Sequence, residues 1–169
     1  MTLSSTDYLS KLSFDMETTT KKVYKNITKV KGKMVTVVDT QISLFIDGHK
    51  LDEHEIFLED VYFNSLLYPG RYPMFTCTCR IFGCGGYHVE VVHTQDTLMW
   101  RMEQSPFMDK TIRGSNEFVF SWSNIIEFSG EWIERLENLQ NLMLSHELKF
   151  QCDLEKYKSI VEEVKTMRC

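Results

Sequence analysis

Cys77-x-Cys79-x4-Cys84, followed by His88 and His93, is the densest grouping of metal-ligating and nucleophilic side chains in the sequence. Thiolate and imidazole are the ligands zinc takes in a tetrahedral site. The spacing fits poorly, because Cys-x-Cys on a straight strand holds its sulfurs roughly 6 to 7 Å apart, wide for ligands about 2.3 Å from one metal. Three readings stay open. Cys77, Cys79, Cys84 and His88 are the ligands if a metal is present, two of the thiols pair if a disulfide forms, and otherwise all are reduced core thiols. Reduced thiols with no cofactor are the expectation, so purified protein should carry well under one zinc per chain. The catalytic alternative is a Cys84 nucleophile with His88 or His93 as base. It requires an activated thiolate beside a base and an orienting group.

The elements that would position these residues follow from alternation. Side chains on a strand point to opposite faces in turn, which places Phe75, Cys77 and Cys79 on one face and Met74, Thr76 and Thr78 on the other. Gly83, Gly85 and Gly86 supply a reversal. Tyr87, Val89, Val91 and His93 then alternate with His88, Glu90 and Val92, a turn at 94–96 leads to a third strand over 97–102, and 117–122 reads as a fourth, with Phe118 and Phe120 on one face. The expectation is an antiparallel meander.

Upstream, residues 1–20 are polar with Tyr8, Leu9, Leu12 and Phe14 as anchors, and read as a short helix or an edge strand. From Lys22 to Ile46 two strands turn at Lys31-Gly32 and stop at Asp47-Gly48. A polar loop over 48–55 holds His49 and His54, and 56–67 suits a short amphipathic helix. A long loop covers 103–116. The clearest helix spans 131–144, with Trp132, Ile133, Leu136, Leu139 and Met143 inward and Ser123-Asn124 or Ser129 as its cap. A second follows Asp153, burying Leu154, Tyr157, Ile160, Val161, Val164 and Met167. The class is α+β: an antiparallel sheet, a meander, with C-terminal helices packed on it, in one domain over 1–169. Phe120 and Trp132 are expected in the core.

Composition narrows function. A formal charge of −5 and a pI near 5.5 argue against nucleic acid as partner, and the lysines of residues 21–33 read as a solvated hairpin face. No apolar run has the length of a membrane span, and residues 1–10 lack a signal-peptide pattern. A cytoplasmic protein is expected, where five thiols stay reduced. There is no Gly-x-Ser-x-Gly elbow, Walker loop, dinucleotide fingerprint or His-Glu-x-x-His. Gly83-Cys84-Gly85-Gly86 leads into a strand, which denies it the helix dipole that phosphate loops use.

Phe75-Thr-Cys-Thr-Cys-Arg-Ile-Phe-Gly-Cys-Gly-Gly, with the valines, the tryptophan and the Phe-Val-Phe-Ser-Trp that follow, resembles a group of small bacterial proteins of unassigned activity. Those proteins share a Cys-x-Cys-(Gly)-x-x-Gly-Cys-x-Gly hairpin. Arg80 stands where that pattern often has glycine, so the turn differs in shape. The resemblance covers about a third of the chain. Together with its Lys, Ile, Asn and Phe usage, it implies a low-GC Gram-positive bacterium or its phage, where small acidic proteins often neutralise toxins or inhibit host systems. The expected function is therefore a non-enzymatic inhibitor that binds another protein, a toxin or a host defence protein. Its anchors would lie on two loops: Asp52, Glu53, Glu55 and Glu59 on the first, and Phe107, Met108 and Asp109 on the second. A small cysteine-dependent or zinc-binding enzyme is the alternative.

Overall fold

A computed structural model describes residues 9–26, 28, 31–52, 55–77, 87–112, 116–150 and 152–168. The chain runs β1 (Leu9–Ser10), β2 (Leu12–Asn26), β3 (Gly32–Ile46), β4 (His49–Lys50), β5 (Glu55–Phe57), α1 (Glu59–Leu67), β6 (Gly70–Cys77), β7 (Tyr87–His93), β8 (Thr97–Met102), β9 (Glu117–Ser121), α2 (Trp122–Ser145) and α3 (Leu154–Arg168). One sheet has the order β1-β9-β8-β7-β6-β5, and a second has the order β2-β3-β4.

The antiparallel meander is β6 to β9. Its inner face carries Tyr87, Val89, Val91, Leu98, Trp100, Met102, Phe118 and Phe120, all buried, as the period of two requires. Its outer face is wet. There Arg101 sits between Glu90 and Glu117 in register, with N···O separations of 3.1 and 2.9 Å, a cross-strand charge row that suits an exposed sheet surface. Strict alternation fails once, in β6. The register slips between Tyr72 and Phe75, so Met74 and Phe75 are both buried although adjacent.

The helices pack on the inner face, with Trp132 and Leu136 of α2 and Tyr157, Ile160 and Val164 of α3 in one core with the sheet. Helix α2 starts at Trp122, nine residues before the expected 131, and its cap is Ser121, whose Oγ accepts from Asn124 N–H at 3.0 Å. Ser123 and Asn124 thus lie inside the first turn, and Ser129 is buried in mid-helix against the Tyr62 hydroxyl at 2.8 Å. Trp122, expected as the end of the fourth strand, and 123–130, expected between that strand and the helix, are thus helical, their apolar residues continuing directly from the apolar strand β9. In α3, Asp153 caps as expected, with Lys156 N–H on its Oδ1 at 3.1 Å, whereas Met167 is half exposed and outside the core.

The region before residue 22 is extended throughout its described part. β1 adds to β9 in parallel, and β2 begins ten residues before the expected strand start. The chain changes sheets at Lys11. Asn124 holds that crossing: its Oδ1 accepts from Leu12 N–H at 2.9 Å and its Nδ2 donates to Leu12 O at 3.1 Å. β2 and β3 pair over fifteen positions, and the inner half of the ribbon brings Leu12, Leu44 and Ile46 into the core, with Phe14 edge-on to Phe128 and Trp132 of α2 and Met16 also beside α2. Beyond Thr18, which still borders α2, the ribbon leaves the body, and every β2 residue from Glu17 to Asn26 is exposed. Asp47 and Gly48 both have positive φ (54° and 81°), making the tight turn by which His49–Lys50 pairs back on β3, so the expected loop over 48–55 is partly strand. The expected helix over 56–67 begins at Glu59, after the short edge strand β5.

Candidate functional site

Leu51 and Phe107 form an isolated antiparallel bridge. Asp52 N–H donates to Pro106 O at 2.8 Å and Met108 N–H to Lys50 O at 3.0 Å. The two loops expected as separate sources of anchors are therefore laced into one platform. Leu51 and Phe107 are both buried, as is Pro106 beside Phe107. Phe107 is 7% exposed and stands edge-on to Phe118 at 5.6 Å, with the His49 ring at 5.9 Å. This corrects the expectation of an exposed Phe107: it is the floor of the surface.

Met108, 42% exposed, is the apolar projection above that floor. Asp52 beside it makes an ion pair with Lys110 at 3.6 Å. Asp109 Oδ1 accepts from Thr111 Oγ1 at 2.6 Å and Thr111 N–H at 2.9 Å, which holds the Asp109 carboxyl below the usual carboxylate range and fixes the turn. Asp52 and Met108 thus lie on paired backbone, with Asp109 next in the chain. Glu53 lies outside the described residues. Glu55 pairs in β5 with Cys77 of β6, and both side chains fall outside the described set.

Glu59, expected as a surface anchor, is half-buried. It sits in the first turn of α1 and faces inward, accepting from Trp132 Nε1 at 2.9 Å and from the Cys152 thiol at 3.7 Å. Asp60 next to it accepts from Lys156 at 3.1 Å and from the Tyr157 hydroxyl at 3.4 Å. Burial, and then the Glu59 charge, push the Cys152 thiol up to about 12. The same two causes raise Tyr157. Burial and a carboxylate beside a thiol keep the sulfur protonated, the reverse of what a nucleophile needs. The sequence carried no signal for this cluster, since residues 59 and 152 are brought together only by packing α1 against the segment before α3.

Alkylation tests this cluster. At pH 8, below the raised thiol value, Cys152 should be almost wholly protonated and react with iodoacetamide about tenfold or more slowly in the folded protein than in urea. Glu59→Gln removes the negative charge, lowers the thiol towards its ordinary range and should speed the reaction. Site-resolved mass spectrometry reads both rates. Equal rates folded and unfolded would overturn the assignment.

Of the residues with candidate site chemistry, Cys77 ends β6, and Cys79, Cys84 and His54 lie outside the described residues, as does any Cys84–His pairing. His88 is half-buried in β7. His93 is engaged structurally: its Nε2–H donates to Ser65 O at 2.8 Å and its ring meets Trp122 edge-on at 5.0 Å. Burial lowers its basicity, with the Ser65 hydrogen bond opposing. No helix of the described residues is long and apolar enough to cross a membrane. No family model, curated protein or solved structure matches the chain.

Proposed function

We propose that the protein is a stoichiometric, non-enzymatic binding protein that blocks another protein, in the manner of a toxin-neutralising immunity protein or a phage inhibitor of a host system. The contact surface in this reading is the platform of Asp52, Met108 and Asp109. The observation that carries it is the exposed Met108 held on paired backbone above buried Phe107, with two carboxylates beside it. A rigid apolar projection ringed by charge is what a protein interface uses, because ordering costs are already met before binding.

Charge distribution supports a basic target. Residues 18–38 hold six lysines and no acid, so the rest of the chain has 13 Lys and Arg against 24 Asp and Glu, a net of −11. An acidic body steers encounter with a positively charged protein face and disfavours neutral or acidic ones. Affinity purification from the native host should recover one dominant partner in an equimolar complex. Met108→Ala should weaken that complex about tenfold or more while leaving thermal unfolding unchanged, and Asp109→Asn, which removes the charge but keeps an acceptor for Thr111, should weaken it in the same direction. Recovery of no partner, together with a turnover abolished by Cys84→Ala, overturns the reading in favour of a cysteine enzyme.

A further inference from the structure

The outer half of the β2–β3 ribbon plays no part in the platform of Asp52, Met108 and Asp109. Ten consecutive pairs, Glu17↔Gln41 to Asn26↔Gly32, run past the body for about 34 Å. A two-stranded ribbon is marginally stable in water. β2 is moreover the end strand of its sheet, so its outer edge offers a row of unpaired backbone groups. Tyr24 (62% exposed) and Val23 on β2, and Met34 (54%) and Ile42 on β3, are exposed, the Tyr24 ring lying over Gly32 of β3.

The sequence of this edge is complementary to itself. Asp15 and Glu17 lie towards the body, Thr18, Thr19 and Thr20 are uncharged, and Lys21, Lys22 and Lys25 lie towards the tip. Reversed and laid alongside, the strand therefore presents its basic end to its own acidic end. We propose that the protein pairs with a second copy of itself through the outer edge of β2, the two arms joining into a four-stranded antiparallel sheet centred on Thr20.

Symmetry and side chains fix the register. A two-fold axis between antiparallel strands is perpendicular to the sheet and keeps each face on its own side, so the numbers of opposed residues have an even sum. Centring on Lys21 sets that lysine against itself. Centring on Thr19 sets Lys22 against Met16, which is 7% exposed under the body. Centring on Thr20 avoids both: Lys25 faces Asp15 of the second copy, Lys21 lies diagonal to its Glu17, and Tyr24 faces its Met16. Met16 borders a groove of about 140 Å³ between the ribbon and α2, lined also by Thr18, Arg135, Asn138, Leu139 and Leu142. Tyr24, 62% exposed with its ring over Gly32 of its own β3, is thus the residue of one chain that stands opposite the groove of the other.

The test is the mass of the full-length, reduced protein by sedimentation velocity, expected at twice the 19.9 kDa chain. Asp15→Lys and Lys25→Glu each place like charges opposite one another at two symmetric points, and each alone should weaken the dimer about tenfold or more. Mixed in equal amounts the two variants restore both pairs, and the mixture should sediment as a heterodimer. Both substitutions lie on exposed strand, and circular dichroism checks that the fold persists. A wild-type monomer at high micromolar concentration overturns the proposal, as does a dimer indifferent to both substitutions. Salt-sensitive binding of the monomer to duplex DNA through the same lysines also overturns it. Partner capture through Met108 is read separately, so either surface can fail alone.

Discussion

Replacing Trp132 with alanine is expected to lower the unfolding free energy by about 3 to 5 kcal/mol, the usual loss for deleting a large buried aromatic. Trp132 is 1% exposed and lies among Phe14, Phe57 and Phe128, with ring centroids at 4.9, 5.3 and 5.7 Å. It therefore joins the base of the arm, the edge strand β5 and helix α2 in one contact. Truncation also leaves Glu59 without its indole donor, adding the cost of an under-satisfied, partly buried carboxylate. Trp132→Phe separates the two effects, since it keeps most of the packing and removes only the hydrogen bond, for about 1 to 3 kcal/mol. Urea unfolding with a constant m-value measures both. A loss below about 1 kcal/mol for the alanine variant would mean that the indole does not hold these elements together. Phe120, fully buried and edge-on to Trp100 at 5.3 Å, should behave as Trp132 does.

The second large effect separates neighbours. Phe107→Ala should destabilise the protein by about 3 kcal/mol, because the ring is core and its loss opens a cavity beneath the paired loops against Phe118. Met108→Ala, one residue on, should change stability by no more than about 0.5 kcal/mol, as exposed substitutions do. Thermal unfolding of the two variants side by side gives the answer. The opposite ranking would turn the bridge between Leu51 and Phe107 inside out and remove Met108 from the proposed contact surface.

Much of the sheet was legible because alternation is a local signal. Tyr87, Val89 and Val91, and Phe118 with Phe120, disclose their buried face within a few residues. Two kinds of information were not local. The bulge that buries both Met74 and Phe75 depends on how β6 meets β7, and neither residue announces it. Nor could the sequence show that Phe107 faces inward, since Pro106, Met108 and Asp109 around it read as surface and its partner Leu51 lies in another loop. The start of α2 was missed for a third reason: Trp122, Ile125 and Phe128 are helically spaced, but they continue directly from the apolar strand β9. Of the proposed contact surface, Met108 and Asp109 are exposed as the polar loop around them suggests, whereas Asp52 is half-buried. The inward turn of Glu59 towards Cys152 was not, because it depends on packing between elements distant in the chain.

Asn124 gripping both backbone groups of Leu12 has a consequence for the order in which the molecule assembles. The arm is a hairpin with a local register and needs nothing beyond residue 46 to close. Its seat on α2 and the parallel addition of β1 to β9 need residues 119 to 132, which leave the ribosome last among these partners. Contacts of such long sequence separation are slow to form. For most of synthesis the nascent chain carries an arm with a bare edge and no body to sit on, so early crowding of chains on one messenger exposes many such edges to one another. Delay between making residue 26 and residue 124 is then a determinant of soluble yield, and slowing elongation between them should lower that yield more than slowing it afterwards.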